Sequence, residues 1–278
     1  MSLYITSLNS GSNGNCYYVG NGQEAVLIDA GISCRETEKR MKRLGLEMAQ
    51  VKAIFVSHEH GDHITGVPAL SKKFRLPVYI TETTFSNSNI PIEADLIHRF
   101  QPHEAVRIGG IAVTAFPKFH DAAEPHSFLV SSHEVNVGVF TDLGFACEQL
   151  IRYFKQCHAA FLEANYDVNM LEKGNYPYHL KKRISGGQGH LSNEQALQLF
   201  LQHRPAHMSH LVLAHLSKNN NHPKLVEDLF QQHAGSTRIV VASRYQETEL
   251  YHIQANGTAQ TIQQPQPPGP SQVQLSLF

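Results

Sequence analysis

The sequence predicts an α/β (α+β) fold in which two mixed β-sheets lie face to face between outer helices, an αββα sandwich. The first observation is that 278 residues with 41% hydrophobic content can bury one large core. The second is the large number of short apolar runs with strand character. The third is that helical segments fall between groups of strands rather than after every strand. These observations favour a layered sandwich over a regular alternation of strands and helices.

The strands are predicted in chain order from short runs of aliphatic and aromatic residues. They cover residues 3–8, 16–19, 25–29, 53–56, 77–80, 111–116, 126–130, 135–141, 159–163, 211–214, 238–242 and 249–253. The helices are predicted where apolar residues recur at three- and four-residue spacing, as in Ile64, Val67, Leu70 and Phe74. They cover residues 33–45, 64–75, 145–156, 192–203 and 222–234.

Composition and charge indicate a cytoplasmic protein without a global attraction to nucleic acid. The formal net charge is −1 with 18 histidines, so a strongly basic surface is excluded. Local groups of Lys and Arg are interpreted as solvated helix faces or as small basic patches, at Lys39-Arg40-Lys42-Arg43, Lys72-Lys73-Arg75 and Lys181-Lys182-Arg183. Four cysteines without metal or disulfide spacing indicate reduced thiols, and no apolar run reaches the length of about 18 residues that spans a bilayer.

A dense group of imidazoles follows the predicted strand at 53–56, in the run Ser57-His58-Glu59-His60-Gly61-Asp62-His63. A strand that leads into this run is expected to turn His58 and His60 to one side, with Asp62 and His63 following on the turn. Gly61 is expected to let the loop fold tightly. Because crowded polar side chains at a strand end need partners, the run predicts a metal-binding loop with room for a second ion.

Three later strands each end in a residue that can bind a metal. His120 follows the strand at 111–116, Asp142 follows the strand at 135–141, and His215 follows the strand at 211–214. Strand ends can hold ligands rigidly while leaving access for a substrate. A single histidine after a strand is usually structural, so these residues are predicted as metal ligands only because the dense group at 58–63 is also present.

The pattern His-x-His-x-Asp-His at 58–63 resembles the signature of the metallo-β-lactamase fold superfamily, whose members use the αββα sandwich. The resemblance implies two divalent metal ions. The first would be bound by His58, His60 and His120, and the second by Asp62, His63 and His215, with Asp142 as the bridge. The imidazole-rich set suits zinc, while the carboxylate oxygens leave manganese open.

Two further segments resemble the tRNA-processing nuclease RNase Z. Gly189-His190-Leu191-Ser192-Asn193 opens a predicted helix, and Leu162-Glu163-Ala164-Asn165 is similar to a segment in which a glutamate orients a phosphate-contacting histidine. The resemblance implies that Glu163 holds His190 as an imidazolium that neutralises phosphate charge or protonates the leaving oxygen. We also expect Asp62 both to bind the second ion and to accept the proton of the attacking water. The alternative for His190 is a helix-capping or core histidine.

A closer resemblance is to the YycJ/WalJ-type group of small metallo-β-lactamase-fold proteins, over about residues 1–255. It is carried by Ser10-Gly11-Ser12-x-Gly14-Asn15, Leu27-Ile28-Asp29-Ala30-Gly31, Ser57-His58-Glu59-His60, His120-Asp121-Ala122-x-Glu124-Pro125, Glu163-x-Asn165-Tyr166-Asp167 and Gly189-His190-Leu191-Ser192-Asn193. The resemblance implies a 5′ to 3′ DNA exonuclease connected with DNA repair. RNA remains an alternative substrate.

The end of the chain predicts a linker and a docking motif. Residues 256–273 are rich in Gln, Pro, Gly and Ser, a composition typical of an extended linker. The last five residues resemble the peptide by which bacterial repair proteins bind the replication sliding clamp, Gln274-Leu275-Ser276-Leu277-Phe278. The predicted organisation is therefore a catalytic domain at 1–255, a linker at 256–273 and a clamp-binding motif at 274–278. A stray tail is the alternative.

Three functions follow from the sequence. The first is a clamp-associated exonuclease. The second is a small-molecule phosphodiesterase or thioester hydrolase, because this fold hosts many substrates and the net charge is near zero. The third is a clamp-binding adaptor with a vestigial metal site, which the complete ligand set disfavours.

Overall fold

The computed structural model describes residues 2–256 and 260–261, and it contains two mixed β-sheets. The described strands of the first sheet lie in the order β15-β14-β1-β2-β3-β4-β5-β6. Their bounds are β1 Ser2–Asn9, β2 Cys16–Gly20, β3 Ala25–Ile28, β4 Val51–Phe55, β5 Val78–Tyr79, β6 Ile97–His98, β14 Tyr251–Gln254 and β15 Gln260–Thr261. Strands β3 to β6 are parallel, whereas β1 is antiparallel to both of its neighbours.

The described strands of the second sheet lie in the order β13-β12-β11-β10-β9-β8-β7. Their bounds are β7 Ala105–Ile108, β8 Ile111–Pro117, β9 His126–Ser132, β10 Val135–Phe140, β11 Ala159–Glu163, β12 His210–Ala214 and β13 Arg238–Val241. Strands β10 to β13 are parallel, and β7 to β10 form an antiparallel meander. Strand β8 therefore runs in the same direction as β10, so both end at the same edge.

The helices lie outside the sheets. Their bounds are α1 Cys34–Arg43, α2 Gly61–Ile64, α3 Val67–Phe74, α4 Glu82–Ser88, α5 Glu148–Phe154, α6 Val168–Lys173, α7 Tyr178–Ser185, α8 Asn193–His203 and α9 Pro223–Gln231. Single 3₁₀ turns precede β4 and β6, at Met48–Gln50 and Ala94–Leu96. Among the described residues, no helix is long and apolar enough to cross a membrane.

Three apolar cores lie between the layers and hold them together. Side chains such as Ile5, Phe128 and Phe161 fill the space between the sheets. A second core joins the second sheet to α5, α8 and α9. A third joins the first sheet to α1 and α3. One core between the sheets and one outside each sheet is the layering of an αββα sandwich, so the predicted fold class is confirmed.

The helix predicted at 64–75 begins too early. In the structure α2 ends at Ile64, and a separate helix, α3, begins at Val67. The turn between α2 and α3 contains Gly66, where an added Cβ would lie 2.0 Å from the carbonyl oxygen of Ile32. This close backbone approach fixes the turn and cannot be recognised from helical periodicity. Short elements without a clear pattern were also missed, namely the strands β6, β7 and β15 and the helices α4, α6 and α7.

Two residues of the predicted linker belong to the first sheet. Gln260 and Thr261 pair with His252 and Tyr251 in an antiparallel register, so the sheet extends past the predicted boundary at residue 255. The predicted clamp-binding motif at 274–278 lies outside the described residues.

Candidate metal centre

The predicted metal ligands meet at one edge of the sandwich, where several strands end. The loop after β4 supplies the residues from His58 to His63, and the loop after β8 supplies His120. Asp142 lies two residues beyond β10, and His215 directly follows β12. The direction of the strands explains this convergence, because strands that run the same way bring their carboxyl ends to one edge.

His58, His60 and His120 form the first group of candidate ligands. His58 Nε2 lies 3.1 Å from His60 Nδ1, which in turn lies 3.4 Å from His120 Nε2. The strand β4 ends at Phe55, so a turn rather than the expected strand alternation brings His58 and His60 together. The outer nitrogens of two of the rings are held by protein oxygens: His58 Nδ1 by Ser57 Oγ at 2.8 Å, and His120 Nδ1 by the Gly189 carbonyl at 3.0 Å.

Asp62, His63 and His215 form the second group. Asp62 Oδ2 lies 3.6 Å from His63 Nε2 and 3.5 Å from His215 Nε2. The far side of the His63 ring contacts the buried carboxylate of Asp29, with His63 Nδ1 2.7 Å from Asp29 Oδ2. A carboxylate on the outer nitrogen fixes the ring orientation and directs Nε2 towards the centre.

Asp142 lies between the two groups and is almost fully buried. Its Oδ2 is 3.3 Å from His63 Nε2, and its Oδ1 is 3.2 Å from His215 Nδ1 and 3.8 Å from His120 Nε2. Asp142 therefore approaches a histidine of each group. The bridging role that the resemblance implies for Asp142 stays a prediction.

The spacing of these atoms fits a metal centre. Four ligands at ~2.05 Å from a tetrahedral ion lie about 3.3 Å from one another, which is the spacing of the candidate atoms. Two buried atoms at the centre, Asp142 Oδ2 and His215 Nε2, make no hydrogen bond among the described residues, although other ligand atoms lie close to them. Buried polar atoms usually have partners, and bound ions would provide them.

The electrostatics of the centre suit cations. Burial opposes the ionisation of Asp142, but His215 and His63 outweigh it and hold the pKa of this carboxyl well below its ordinary value. Burial also opposes the ionisation of Asp62, yet His63 and His215 lower its pKa to about 2. For His58 and His120, burial lowers the pKa, to about 4 in His120. For His63 and His215 burial is outweighed by the neighbouring carboxylates, Asp142 first among them, which raise the pKa, to about 10 in His215. Because ionised carboxylates and neutral imidazoles are the forms that bind metals, these two rings must release a proton when an ion binds.

Glu163 and His190 form a hydrogen-bonded pair beside the second group. His190 Nδ1 lies 2.7 Å from Glu163 Oε1, and the same oxygen lies 3.0 Å from His215 Nδ1. The other oxygen of Glu163 accepts hydrogen bonds from the backbone amides of Leu143 and Leu191, at 2.7 and 3.1 Å. Burial opposes ionisation of this carboxyl, but His190 lowers its pKa to about 2. The contact with His190 was predicted from the sequence, whereas the contact with His215 was not.

His190 directly precedes the turn that begins α8. Ser192 is the N-cap of this helix and forms a reciprocal capping box with Gln195. The backbone amide of His190 donates to the carbonyl of Ile184, at the end of α7. The position of the imidazole is thus fixed by two helices, while about a fifth of the side chain remains exposed to the cleft.

The centre opens into a cleft of about 430 Å³. Its floor includes His60, Asp62 and His190, and its rim includes Tyr176 and Arg183 from the segment around α7. Arg183 forms an ion pair with Asp121, the residue after His120. Beside the imidazoles, the cleft is therefore lined by carboxylates and by one arginine, which is paired with Asp121.

Gly61 does not have the role that the sequence predicted. It is the first residue of α2, and an added Cβ would meet no atom within 4 Å. The glycine on which the loop depends is Gly31, where an added Cβ would lie 1.7 Å from the carbonyl oxygen of Asp62. Glycine is required at position 31 because two segments that are distant in sequence approach each other closely there, rather than because of a local turn.

Two further residues of the centre, Asp29 and Asn15, had no role predicted from the sequence. Asp29 holds both Ser57 and His63, and Asn15 Nδ2 lies 3.2 Å from Asp62 Oδ2. Both residues occur in segments that carry the resemblance to the YycJ/WalJ-type group, which was the available signal. The ion pair of Arg183 had no signal in the sequence beyond a local run of basic residues.

Comparisons with known proteins agree with this fold. Residues 24–216 match the model of the beta-lactamase superfamily domain. The exodeoxyribonuclease YycJ of Bacillus anthracis is 36% identical over 230 residues, which are 81% of this chain and 86% of the relative. The exodeoxyribonuclease WalJ of Streptococcus pneumoniae is 30% identical over 238 residues, which are 82% of this chain and 88% of the relative.

A solved structure shows the same fold at low sequence identity. The metallo-β-lactamase fold protein YhfI from Bacillus subtilis aligns with a TM-score of 0.68 and 16% identity, and the alignment covers 91% of this chain and 100% of that protein. The layers of the sandwich, the ligand groups at its edge and the relatives over most of the chain lead to one conclusion. The chain belongs to the beta-lactamase superfamily domain family and is a hydrolase of the metallo-β-lactamase fold.

Proposed function

We propose that this hydrolase is an exodeoxyribonuclease that uses two divalent metal ions, zinc or manganese, and degrades DNA from 5′ to 3′ in the cytoplasm during repair. The observation that carries the proposal is the contact of 2.7 Å between Glu163 Oε1 and His190 Nδ1 beside the two ligand groups. A fixed cationic imidazole at this place suits the negative charge of a phosphodiester and its leaving oxygen. The names of the two relatives support DNA as the substrate.

In the proposed reaction, each residue of the centre has a distinct task. When bound, the ions would supply an activated water and neutralise charge on the phosphate. Asp62, a ligand with an exposed edge, accepts a proton from the attacking water. His190 donates its proton to the leaving 3′ oxygen, and Glu163 keeps the ring oriented and charged. The attack is in line, so water and leaving oxygen lie on opposite sides of phosphorus.

The proposal also includes recruitment by the bacterial sliding clamp through Gln274, Leu275, Ser276, Leu277 and Phe278. Leu and Phe side chains on a short peptide suit an apolar pocket, and Gln274 can hydrogen-bond at its rim. Deletion of residues 274–278 is expected to abolish binding to immobilised clamp and to leave hydrolysis of free DNA unchanged. Clamp affinity that survives the deletion would show that the motif is not the docking element.

The first experiment measures cleavage of end-labelled DNA and RNA, single-stranded and duplex, with zinc and separately with manganese. The wild type is compared with His60→Ala, which removes a ligand, and with His233→Ala, which removes an exposed histidine at the end of α9. We expect metal-dependent release of nucleotides from the 5′ end by the wild type and His233→Ala only. Equal activity of His60→Ala would exclude the proposed centre.

A small-molecule ester is the second candidate substrate, because a cleft of about 430 Å³ is within the usual size of a small-ligand site. This candidate predicts rapid turnover of a small phosphodiester or thioester and no cleavage of DNA. Elemental analysis of the same samples gives the number and identity of the bound ions.

A further inference from the structure

Two phenylalanines form an exposed aromatic pair next to the metal centre. The rings of Phe119 and Phe145 lie 4.4 Å apart between centroids, with an angle of 32° between their planes. Their exposed fractions are 47% and 40%, which is high for large apolar side chains. Neither ring belongs to the three apolar cores. Packing within the domain therefore does not explain why both residues are aromatic.

The pair is tied to the loops that carry the candidate ligands. Phe119 directly precedes His120, and Phe145 is three residues beyond Asp142. The two loops are joined by a backbone hydrogen bond of 2.6 Å, in which the amide of Gly144 donates to the carbonyl of Phe119. The rings therefore keep a fixed position relative to the centre.

The pair also lies against the loop that leads to His190. An added Cβ on Gly187 would lie 4.0 Å from Phe145 Cδ1, and one on Gly144 would lie 2.0 Å from the carbonyl oxygen of Gly187. The aromatic surface is thus on the side of the centre where His190 lies. In the proposed reaction, this is the side on which the 3′ oxygen of the released nucleotide leaves.

We propose that Phe119 and Phe145 form a stacking platform for the base of the 5′-terminal nucleotide, the one that each cleavage releases. The inference rests on the proposed nuclease function and adds a substrate contact to it. Aromatic side chains bind bases of any sequence through their flat faces. The cleft beside the centre is also lined by a basic residue of α7, Arg183. A nucleotide unit combines the flat base and the anionic phosphate that these two surfaces fit.

The test compares Phe119→Ala/Phe145→Ala with the wild type on two single-stranded DNA substrates. One has an ordinary 5′-terminal nucleotide, and the other has an abasic residue there. We expect the double variant to lose roughly 5- to 100-fold in kcat/KM on the ordinary substrate, the range for loss of one stacked base. On the abasic substrate the two proteins should differ by less than about 2-fold, because the contact is already missing.

Two control variants separate stacking from general damage. Phe119→Tyr/Phe145→Tyr retains the aromatic faces and should restore most of the loss. Tyr245→Ala removes an exposed aromatic residue that lies with Arg43 and Leu44, and it should resemble the wild type on both substrates. Thermal denaturation of all variants shows whether the fold is intact.

A binding readout keeps this test independent of cleavage. A 2-aminopurine base at the 5′ end should lose fluorescence when the wild type binds, and should lose much less with the double alanine variant. Equal quenching by both proteins, or an equal loss of activity on ordinary and abasic DNA, would overturn the platform. If the wild type quenches the base but cleaves no DNA, the nuclease proposal fails and the stacking contact stands.

Discussion

Replacement of Glu163 by Gln changes one charge at the centre with almost no change of shape. In the structure, one oxygen of Glu163 accepts from the backbone amides of Leu143 and Leu191, while the other faces His190 and His215. Because backbone amides only donate, the carbonyl oxygen of the new amide must face them. Its NH₂ group then faces the two imidazoles.

This orientation reverses the hydrogen bond to His190. An NH₂ group is a donor, so Nδ1 of His190 must become an acceptor and the ring must be neutral. Neutral His190 is a poor proton donor to the leaving oxygen, and loss of a positioned general acid reduces the rate by about 10²–10⁴-fold. The contact with His215 is reversed as well. Loss of such an outer carboxylate weakens metal binding by about 10–100-fold, so the assay needs saturating metal.

The assay uses two phosphodiesters that differ in the leaving group. DNA has an alkyl oxygen that needs a proton as it leaves, whereas bis(p-nitrophenyl) phosphate releases a nitrophenolate that leaves as a stable anion. Glu163→Gln should therefore lose about 10²–10⁴-fold in kcat on DNA and far less on the nitrophenyl ester. Glu194→Gln is the matched control, since Glu194 is an exposed residue in the first turn of α8.

Two results would refute this reasoning. A Glu163→Gln enzyme within about 3-fold of wild type on DNA at saturating metal would show that the charge of His190 is not used. An equal loss on both esters, with native thermal stability, would assign the effect to the ions rather than to proton donation. Metal titration followed by calorimetry separates these cases.

Further predictions concern stability and reactivity. Gly31→Ala should destabilise the fold by at least about 2 kcal/mol, because the carbonyl of Asp62 blocks the new Cβ. Gly61→Ala should be neutral or stabilising by about 0.5–1 kcal/mol, and urea denaturation of both variants checks this. Burial lowers the pKa of His210 to about 4 in the folded protein. In the unfolded chain the same imidazole is protonated at its ordinary pKa of about 6.5, so between these two pH values only the unfolded chain binds the proton. The resulting loss of stability as the pH falls from 6.5 towards 4, about 2 kcal/mol at pH 5, should be absent in His210→Gln when denaturation is followed at pH 7 and pH 5. Alkylation of the native protein, followed by mass spectrometry, should modify two of the four thiols and spare the two buried ones, that is, modify Cys34 and Cys147 and spare Cys16 and Cys157. Labelling of a buried thiol at native pH would contradict the packing around it.

The sequence was sufficient to predict the layers of the fold. Strand β3 is a continuous apolar run, and helices such as α8 have both a capping residue and a clear helical spacing. Such signals are local, so they can be recognised without knowledge of the fold. The short helix α7 has no buried residue, and its pattern therefore did not stand out. Its importance comes from its place beside the cleft, which only the tertiary structure provides.

The ligand set was predicted more fully than the residues that hold it. The histidines at 58–63 are close in sequence, and the resemblance supplied the distant members of the set. Asp29 lies in a segment that carries the resemblance, but its role was not predicted, because a single carboxylate after a strand has many possible roles. Its contacts with Ser57 and His63 depend on the alignment of β3 beside β4. The contact of Glu163 with His215 likewise depends on the register of β11 against β12.

The backbone conformation of three residues at the centre could not be predicted from local sequence patterns. Asp29, Asp142 and His215 have positive φ values of 59°, 55° and 54°, a conformation that favours glycine. Asp29 directly follows β3, and His215 directly follows β12, so a sharp turn at the strand end directs each side chain into the centre. Glycine would relieve the strain at these positions but would remove the carboxylate or the imidazole. Strain of this kind persists only where the surrounding structure enforces it, and here the packed strands on both sides do so.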